Sequence, residues 1–354
     1  MKKAFSVLLG LALALGAAGQ AQQSLTIYTG RSQALVDKLV QQFQKDTGIK
    51  VNVRYGRDAE ILAALQEEGS RSPADVFWAN TSGALEEAVK RNLLIQLPAS
   101  LTRQPQEFVP SNRRWVPVSV RFRVAAYNPA KVKESDFPAS VMDLPKVAKF
   151  KGRIGWTPTY SSFQDFITAM RVVKGEAATK AWLQAMIAAG AKAYPSNPPM
   201  LEAMQAGEID VALTNHYYIQ RILAGVEEGE YEGKEESEEE EKKELAAREA
   251  KAGVATHYFA PGDVGGLALV TGAGILATSK NQANATRFLN YLLSKKAQPY
   301  FVDEVREYPV IAGVSLPRGM LPFTKAIRLS PKIDFAKLTD LEGTLKLLRE
   351  VGLL

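Results

Sequence analysis

The chain has 354 residues, of which 46% are hydrophobic, with no cysteine, two histidines and a formal net charge of +6. Without cysteine there can be no disulfide and no thiolate metal site, and two imidazoles argue against a histidine-based zinc site. The basic residues are scattered, which argues against nucleic-acid binding and favours a small anionic ligand or general solubility. The length and apolar content allow two hydrophobic cores and therefore two domains.

The first 21 residues have the pattern of a secretory signal. Lys2 and Lys3 precede an apolar core at 5–15, and Gly19 and Ala21 supply small residues at the cleavage positions. The core is too short to span a bilayer. We therefore expect residues 1–21 to be a signal peptide and the mature chain to be exported.

The amino-terminal part alternates strand and helix patterns. The predicted strands are 24–28, 49–55 and 74–79, and the predicted helices are 34–47, 58–68 and 85–91. This β-α-β-α-β order predicts an α/β fold with a mostly parallel sheet and helices on both faces.

A second unit of the same kind follows a long extended segment at 116–127, which we interpret as a crossover between lobes. Its predicted strands are 153–157, 192–194, 210–214 and 266–275, and its predicted helices are 163–173, 178–189, 199–206 and 282–293. Residues 225–252 interrupt the pattern with almost no apolar side chain before Leu245, and residues 227–244 contain eleven Glu and three Lys. This composition predicts an acidic insertion, either a solvated helix or a mobile loop.

Tyr217 and Tyr218 stand between the strand 210–214 and a following helix. In an open α/β sheet, ligands bind at the carboxyl ends of strands. A phenolate is a hard oxygen donor that suits hard cations. The alternative is that both tyrosines are packing residues whose hydroxyls find partners nearby.

Three further strand-to-helix turns, at 28–32, 80–82 and 159–162, carry hydroxyl, amide or guanidinium groups. Ser162 and Asp165 match a capping box, which would open a helix with free amides. If the turns line one crevice, three phenolates could cancel the charge of a trivalent cation. A small oxyanion held by arginine and backbone amides could fill the remaining positions.

With these motifs the chain resembles the periplasmic ferric-ion-binding proteins, the substrate-binding components of iron(III) ABC importers. The resemblance spans nearly the whole chain and rests on residues 25–31, 74–80, 121–128, 155–164, 207–210 and 215–218. It implies a two-lobed α/β fold of the type II periplasmic binding proteins, similar to a transferrin lobe, with the ligand in the interlobe cleft. The implied lobes are 22–123 with 264–312, and 124–263 with 313–354.

By position, the resemblance implies Tyr160, Tyr217 and Tyr218 as metal ligands. Some members use a histidine after the arginine of the first turn and others a glutamate near the third strand, but here these places hold Ser32 and Asn80. The chain therefore resembles the three-tyrosine subclass, in which carbonate or a similar anion completes the coordination. The implied anion-binding residues are Arg31, Arg121, Arg123, Thr159, Ser161, Asn197 and Asn215, and further candidate cleft residues are Tyr28, Ser32 and Asn80.

The function implied is binding of Fe(III) with carbonate or bicarbonate in the periplasm and delivery to an inner-membrane ABC permease, by a monomer that binds no nucleic acid. An oxyanion or polyamine receptor of the same fold is the alternative, although the former needs no cleft tyrosines and the latter would want carboxylates. The sequence lacks a Gly-x-Ser-x-Gly elbow, an HExxH motif and a convincing His-Asp-Ser set. We therefore expect a binding protein and not a secreted hydrolase or another enzyme.

Overall fold

The computed structural model describes residues 24–102, 108–225 and 238–354. The predicted signal peptide and residues 226–237 of the acidic segment lie outside the described residues. Among the helices in the described ranges, none combines the length and apolar character that a membrane span requires.

Strands and helices alternate along most of the described chain. The strands are β1 (Ser24–Thr29), β2 (Lys50–Tyr55), β3 (Val76–Ala79), β4 (Val116–Tyr127), β5 (Ile154–Trp156), β6 (Lys192–Ala193), β7 (Val211–Asn215), β8 (Ala255–His257), β9 (Ala268–Ile275) and β10 (Tyr308–Pro309). The helices are α1 (Gln33–Thr47), α2 (Asp58–Glu68), α3 (Ser82–Lys90), α4 (Ser161–Lys174), α5 (Glu176–Ala188), α6 (Asn197–Gln205), α7 (His216–Ala224), α8 (Glu238–Ala252), α9 (Gln282–Leu292), α10 (Gln298–Asp303), α11 (Phe323–Leu329) and α12 (Leu341–Glu350).

The predicted elements overlap these observed ones, because the apolar periodicity of the sequence matches the buried faces. In α1, Val36, Leu39, Val40 and Phe43 are the buried residues, at the spacing of one helical face. The helix ends at Gly48, whose φ of 70° is the left-handed conformation that glycine adopts without strain.

The strands form one sheet in the order β2-β1-β3-β9-β4-β7-β5-β6, with β8 and β10 also paired to β4. Pairing is parallel in β2-β1-β3 and in β7-β5-β6, as predicted. It is antiparallel where β9 meets β3 and β4, and where β4 meets β7. The prediction of a mostly parallel sheet is therefore wrong for the centre, because strands buried on both faces give the same apolar run in either direction.

The predicted crossover at 116–127 is a single strand, β4, which belongs to both halves of the sheet. Its first part, Val116 to Phe122, pairs with β9, and its second part, Arg123 to Tyr127, pairs with β7. We call the part built on β1, β2, β3, β9 and β10 lobe 1, and the part built on β5, β6, β7 and β8 lobe 2. The strand β4 thus joins the lobes.

Each lobe has an apolar core of its own, and a third core cluster spans the junction. In lobe 1, Phe43 and Phe288 make an edge contact with ring centroids 5.1 Å apart. The lobe 2 cluster packs α6 and α7 against the sheet. The third cluster contains Phe77 of lobe 1 together with Trp156 and Phe163 of lobe 2. The junction is therefore packed as a protein interior.

The acidic segment is more integrated than its composition suggested. Leu245 and Ala252 of α8 pack against the lobe 2 core, and Glu244 forms an ion pair with Arg318 at 2.9 Å. Burial raises the pKa of Glu249 to about 7, and this side chain accepts a hydrogen bond from the Thr256 amide. Of the two expected forms, the described part of the segment is the helix, α8, whose described side chains are exposed or partly buried and whose sparse apolar residues face the protein.

Asp165 of α4 lies against the amino end of α3, where the two lobes meet. A Cβ atom on Gly83 would stand 2.4 Å from Oδ1 of Asp165, so only glycine permits this approach. The carboxyl group is buried, and its Oδ2 has no hydrogen-bond partner in the part of the chain that the structure describes. The predicted capping box of Ser162 and Asp165 is thus not formed, because α4 begins at Ser161 and Asp165 faces the opposite lobe.

We predict that Asp165→Asn changes the pH dependence of stability. Burial raises the pKa of Asp165 to about 7, despite attraction from Arg121, and Asp58 is a further carboxylate acting on it. The folded state therefore holds this proton more tightly than the unfolded state, and its stabilising contribution is lost as pH rises through about 7. The melting temperature of the variant minus that of wild type should therefore increase from pH 5 to pH 8. Thermal unfolding without added iron measures this difference.

The matched control is Asp143→Asn, an exposed carboxyl group of lobe 2 paired with Lys146. Its difference from wild type should not vary over the same pH range. A pH-independent difference for Asp165→Asn would contradict the assignment of this titration to Asp165.

Candidate metal-binding site

Three tyrosines meet between the amino ends of two helices of lobe 2. Tyr217 and Tyr218 lie in the first turn of α7, directly after β7, with ring centroids 4.1 Å apart. Tyr160 immediately precedes α4, and its hydroxyl lies 3.2 Å from that of Tyr218. The structure therefore brings together the three phenols that the sequence places at separate turns.

The phenols are held in their neutral form by their surroundings. Tyr217 is 5% exposed, and Tyr160 and Tyr218 are partly buried. Burial raises the pKa of all three phenols well above the ordinary value, and their mutual proximity adds to the rise for each of them. A ligand that binds phenolates here must displace protons, which only a strong cation can do.

Arg31 is buried beside the phenols and has only part of its hydrogen-bonding capacity used. Its Nη1 donates to Thr271 Oγ1 and to Glu307 Oε1, both at 2.9 Å. Its Nε and Nη2 have no hydrogen-bond partner among the residues that the structure describes. Buried donors are normally paired, so this free edge of the guanidinium is suited to an anion.

Arg121 is the second buried guanidinium of the site. Its Nη1 donates to Thr271 Oγ1 at 2.6 Å and its Nη2 to the carbonyl oxygen of Asn80 at 2.5 Å. Thr271 therefore accepts from both Arg31 and Arg121 and fixes their relative position. The charge of Arg121 opposes the rise in pKa of Tyr160 and Tyr217.

Arg123 has a different setting. Its Nη1 donates to Asn215 Oδ1 at 3.2 Å, and its guanidinium lies 5.1 Å from the ring centroid of Phe166. The pKa of Arg123 is lowered to about 9, chiefly by burial and secondly by repulsion from Arg121. Its hydrogen bond thus goes to Asn215 at the end of β7, directly before the helix α7 that carries the tyrosine pair.

The predicted amide and hydroxyl residues lie around the same site. Asn197 accepts from Thr214 at 3.0 Å, and within the described ranges its buried Nδ2 has no hydrogen-bond partner. Asn215 donates to the hydroxyl of Ser162 at 3.3 Å.

Two more of the predicted residues lie where the lobes face each other. Asn80 of lobe 1 donates to the hydroxyl of Ser161 of lobe 2 at 2.9 Å, which bridges the lobes. Thr159 is exposed, at the edge of a cavity shared with Asp58 and Thr81.

Tyr28 lies apart from the other three phenols. It pairs with Arg54 across β1 and β2, its hydroxyl donates to Glu68 at 3.0 Å, and Arg54 lies over its ring. The expectation that it lines the cleft is corrected, because the strand alternation turns its side chain toward β2 and α2. Ser32 precedes α1 and is exposed.

Sequence reasoning missed Glu307 and Thr271. Glu307 precedes β10, and its carboxylate reaches Arg31 across 276 positions of sequence. No local motif marks either residue, and only the partners of Arg31 and Arg121 reveal them.

His216 is not arranged as a metal ligand. Its Nδ1 accepts from the Phe122 amide at 3.1 Å, and burial lowers its pKa to about 4. Within the described ranges, no group of three or more His, Cys, Asp or Glu side chains could hold a metal ion. The phenols are therefore the donors available for a hard cation, and the guanidinium groups those for an anion.

Comparisons with known proteins show the family of the chain. A family model described as bacterial extracellular solute-binding protein matches residues 38–326. The Fe(3+)-binding periplasmic protein of Serratia marcescens is 34% identical over 345 residues, 97% of this chain and 94% of that protein. The major ferric iron-binding protein of Neisseria meningitidis serogroup B is 32% identical over 348 residues, 97% of each chain.

The crystal structure of iron-bound HitA from Pseudomonas aeruginosa has a TM-score of 0.80 and 32% identity, and the match covers 93% of this chain and 99% of that one. It confirms the predicted α/β fold of the two-lobed, type II periplasmic binding proteins. The relatives are binding proteins, which also confirms the prediction of a binding protein and not an enzyme. The chain belongs to the bacterial extracellular solute-binding protein family.

Proposed function

We propose that this protein binds ferric iron in the periplasm, through Tyr160, Tyr217 and Tyr218, and delivers it to an inner-membrane ABC permease. The main support for the proposal is that three phenols lie together beside buried guanidinium groups, with the hydroxyl oxygens of Tyr160 and Tyr218 3.2 Å apart. The ferric-binding names of relatives that match nearly the whole chain support the same ligand.

The chemistry of the phenols favours a trivalent cation. Each phenol must lose a proton to bind, against the desolvation that raises its pKa. Three phenolates then cancel the three charges of Fe(III), so the occupied site carries no large uncompensated charge in a buried place. A weaker cation would not repay the loss of three protons.

The arginines supply the remaining coordination indirectly, by holding an oxyanion such as carbonate or bicarbonate. The free Nε and Nη2 of Arg31 can donate to two oxygens of one anion, and Arg121 adds a second charge. The unpaired Nδ2 of Asn197 is a further candidate donor. Arg123 and Asn215, together with Thr159 and Ser161, are proposed to complete the surroundings of the anion.

The lobes are proposed to comprise residues 22–123 with 264–312, and 124–263 with 313–354. Residues of both lobes meet at the site, since Asn80 and Arg31 belong to lobe 1 and the phenols to lobe 2. Opening about β4 would separate them and expose the metal to the permease. We propose that the protein acts as a monomer, exported by the signal at 1–21.

An oxyanion receptor without iron is the second candidate, because the unpaired donors of Arg31 also suit an anion alone. The two functions differ in colour. Phenolates bound to Fe(III) absorb visible light, and an oxyanion alone gives no visible band. Titration with ferric citrate therefore separates them.

We predict that Tyr217→Phe and Tyr218→Phe each weaken ferric binding at least about a hundredfold, because a buried charge left without its partner costs about 3–5 kcal/mol. Competition with nitrilotriacetate, followed by the visible band, measures the affinity. Tyr28→Phe is the matched control, since it removes a phenol bonded to Glu68 outside the site. Unchanged affinity in both variants would contradict the proposed ligands.

We predict that Tyr160→Phe releases about one proton fewer per iron than wild type, because each phenol ligand must be deprotonated. A pH-stat titration at fixed bicarbonate concentration counts the protons, and the absorption maximum should move. An unchanged proton count and spectrum would show that Tyr160 only lines the site.

We predict that iron binding requires an anion and that Arg31 and Arg121 hold it. With carbon dioxide and other oxyanions excluded, wild type should bind ferric nitrilotriacetate weakly, and bicarbonate should restore both colour and affinity. An Arg31→Lys, Arg121→Lys double variant keeps the charges but loses the planar fork, so bicarbonate should help it at least about tenfold less. Arg54→Lys is the control, and full affinity without any anion would refute the requirement.

A further inference from the structure

A buried carboxylate stands behind the anion-binding arginines. Glu307 has no exposed surface, and it accepts from Arg31 Nη1 at 2.9 Å and from the hydroxyl of Ser119. Burial alone would raise the pKa of Glu307, but the charges of Arg31 and Arg121 hold that pKa below its usual range. The carboxylate is therefore ionised inside the protein.

The backbone beside this carboxylate is strained. Arg306 has a φ of 65°, the left-handed region that a residue with a side chain adopts at a cost. The chain then enters β10, where Tyr308 pairs with Val120 of β4. The strained residue thus directly precedes Glu307, whose buried side chain contacts Arg31.

The contact divides the guanidinium of Arg31 into two edges. Nη1 is committed to Glu307 and Thr271, whereas Nε and Nη2 remain without a partner. A planar guanidinium offers two parallel donors on one edge, which match two oxygens of a single oxyanion. Glu307 therefore determines which edge of Arg31 is free, and holds that edge in a fixed direction.

Glu307 also sets the charge that an anion meets. Arg31, Arg121 and Arg123 bring three buried positive charges, and Glu307 is the carboxylate in contact with Arg31. Asp58 accepts instead from Thr81 and the Asn80 amide. Removing the charge of Glu307 would leave a more positive pocket, which favours anions of higher charge.

We propose that Glu307 is the anion-specificity residue of the site, which makes the site prefer bicarbonate, a small planar anion with one negative charge, over hydrogen phosphate, which carries two. This inference rests on the proposed function, because the anion is the one that accompanies iron. Discrimination arises from an unfavourable term against the wrong ligand as well as from contacts to the right one. The negative charge of Glu307 repels an anion of higher charge more strongly and so supplies the unfavourable term.

The test compares wild type with Glu307→Gln, using ferric nitrilotriacetate in buffer free of carbon dioxide, to which bicarbonate or inorganic phosphate is added separately. The visible band gives the iron affinity with each anion, and the measured quantity is the ratio of the two affinities. In Glu307→Gln this ratio should shift toward phosphate by about tenfold or more, since one buried charge near the anion is removed. Glu304→Gln, an exposed carboxylate paired with Lys38, is the matched control.

An unchanged ratio in a folded Glu307→Gln variant would overturn the proposal. If that variant does not fold, Glu307→Asp is used instead. Its shorter side chain no longer reaches Nη1 of Arg31, so the guanidinium loses its fixed orientation. Bicarbonate should then bind about fivefold more weakly or worse, and an unchanged bicarbonate affinity would equally overturn the proposal. Wild type that develops no colour with any anion would contradict the proposed function itself, which is a separate outcome.

Discussion

The burial of three guanidinium groups where the lobes meet is the constraint on which the rest of the structure depends. A buried charge is costly unless it is paired and hydrogen-bonded. Arg31 meets Glu307 and Thr271, Arg121 meets Thr271 and the Asn80 carbonyl, and Arg123 meets Asn215. These partners come from β7, β9, the residue after β3 and the residue before β10, so satisfying the arginines fixes the relative positions of strands that are distant in sequence.

The phenols explain how such a site can stay ready for a cation. A carboxylate in the place of a phenol, facing the free edge of Arg31, would form a permanent salt bridge and occupy the donors that an anion needs. A tyrosine is neutral at physiological pH, and burial raises the pKa of these three still further. In the proposed function, Tyr160, Tyr217 and Tyr218 therefore become anionic only when Fe(III) displaces their protons. The positive arginines and the latent negative charge of the phenols can share one buried site.

The architecture links this chemistry to motion. The strand β4 carries Arg121 in the part that pairs with lobe 1 and Arg123 in the part that pairs with lobe 2. Asn80 and Ser161 join the lobes by one hydrogen bond, and Asp165 rests against Gly83 of the other lobe. These two polar contacts between the lobes lie close to the site, beside the apolar cluster that spans the junction, so the electrostatics of the site and the separation of the lobes are coupled.

By itself, the sequence determined the alternation of strands and helices, the crossover at 116–127 and the turns that carry the tyrosines and arginines. These are local properties, because apolar spacing and turn residues act over a few positions. Only the tertiary structure decided that β9 runs antiparallel to β3, that Tyr28 faces Glu68, and that Asp165 rests on α3 instead of capping its own helix. It alone placed Glu307 behind Arg31, because a contact across 276 positions depends on how the strands stack and on the cost of leaving a buried charge without a partner.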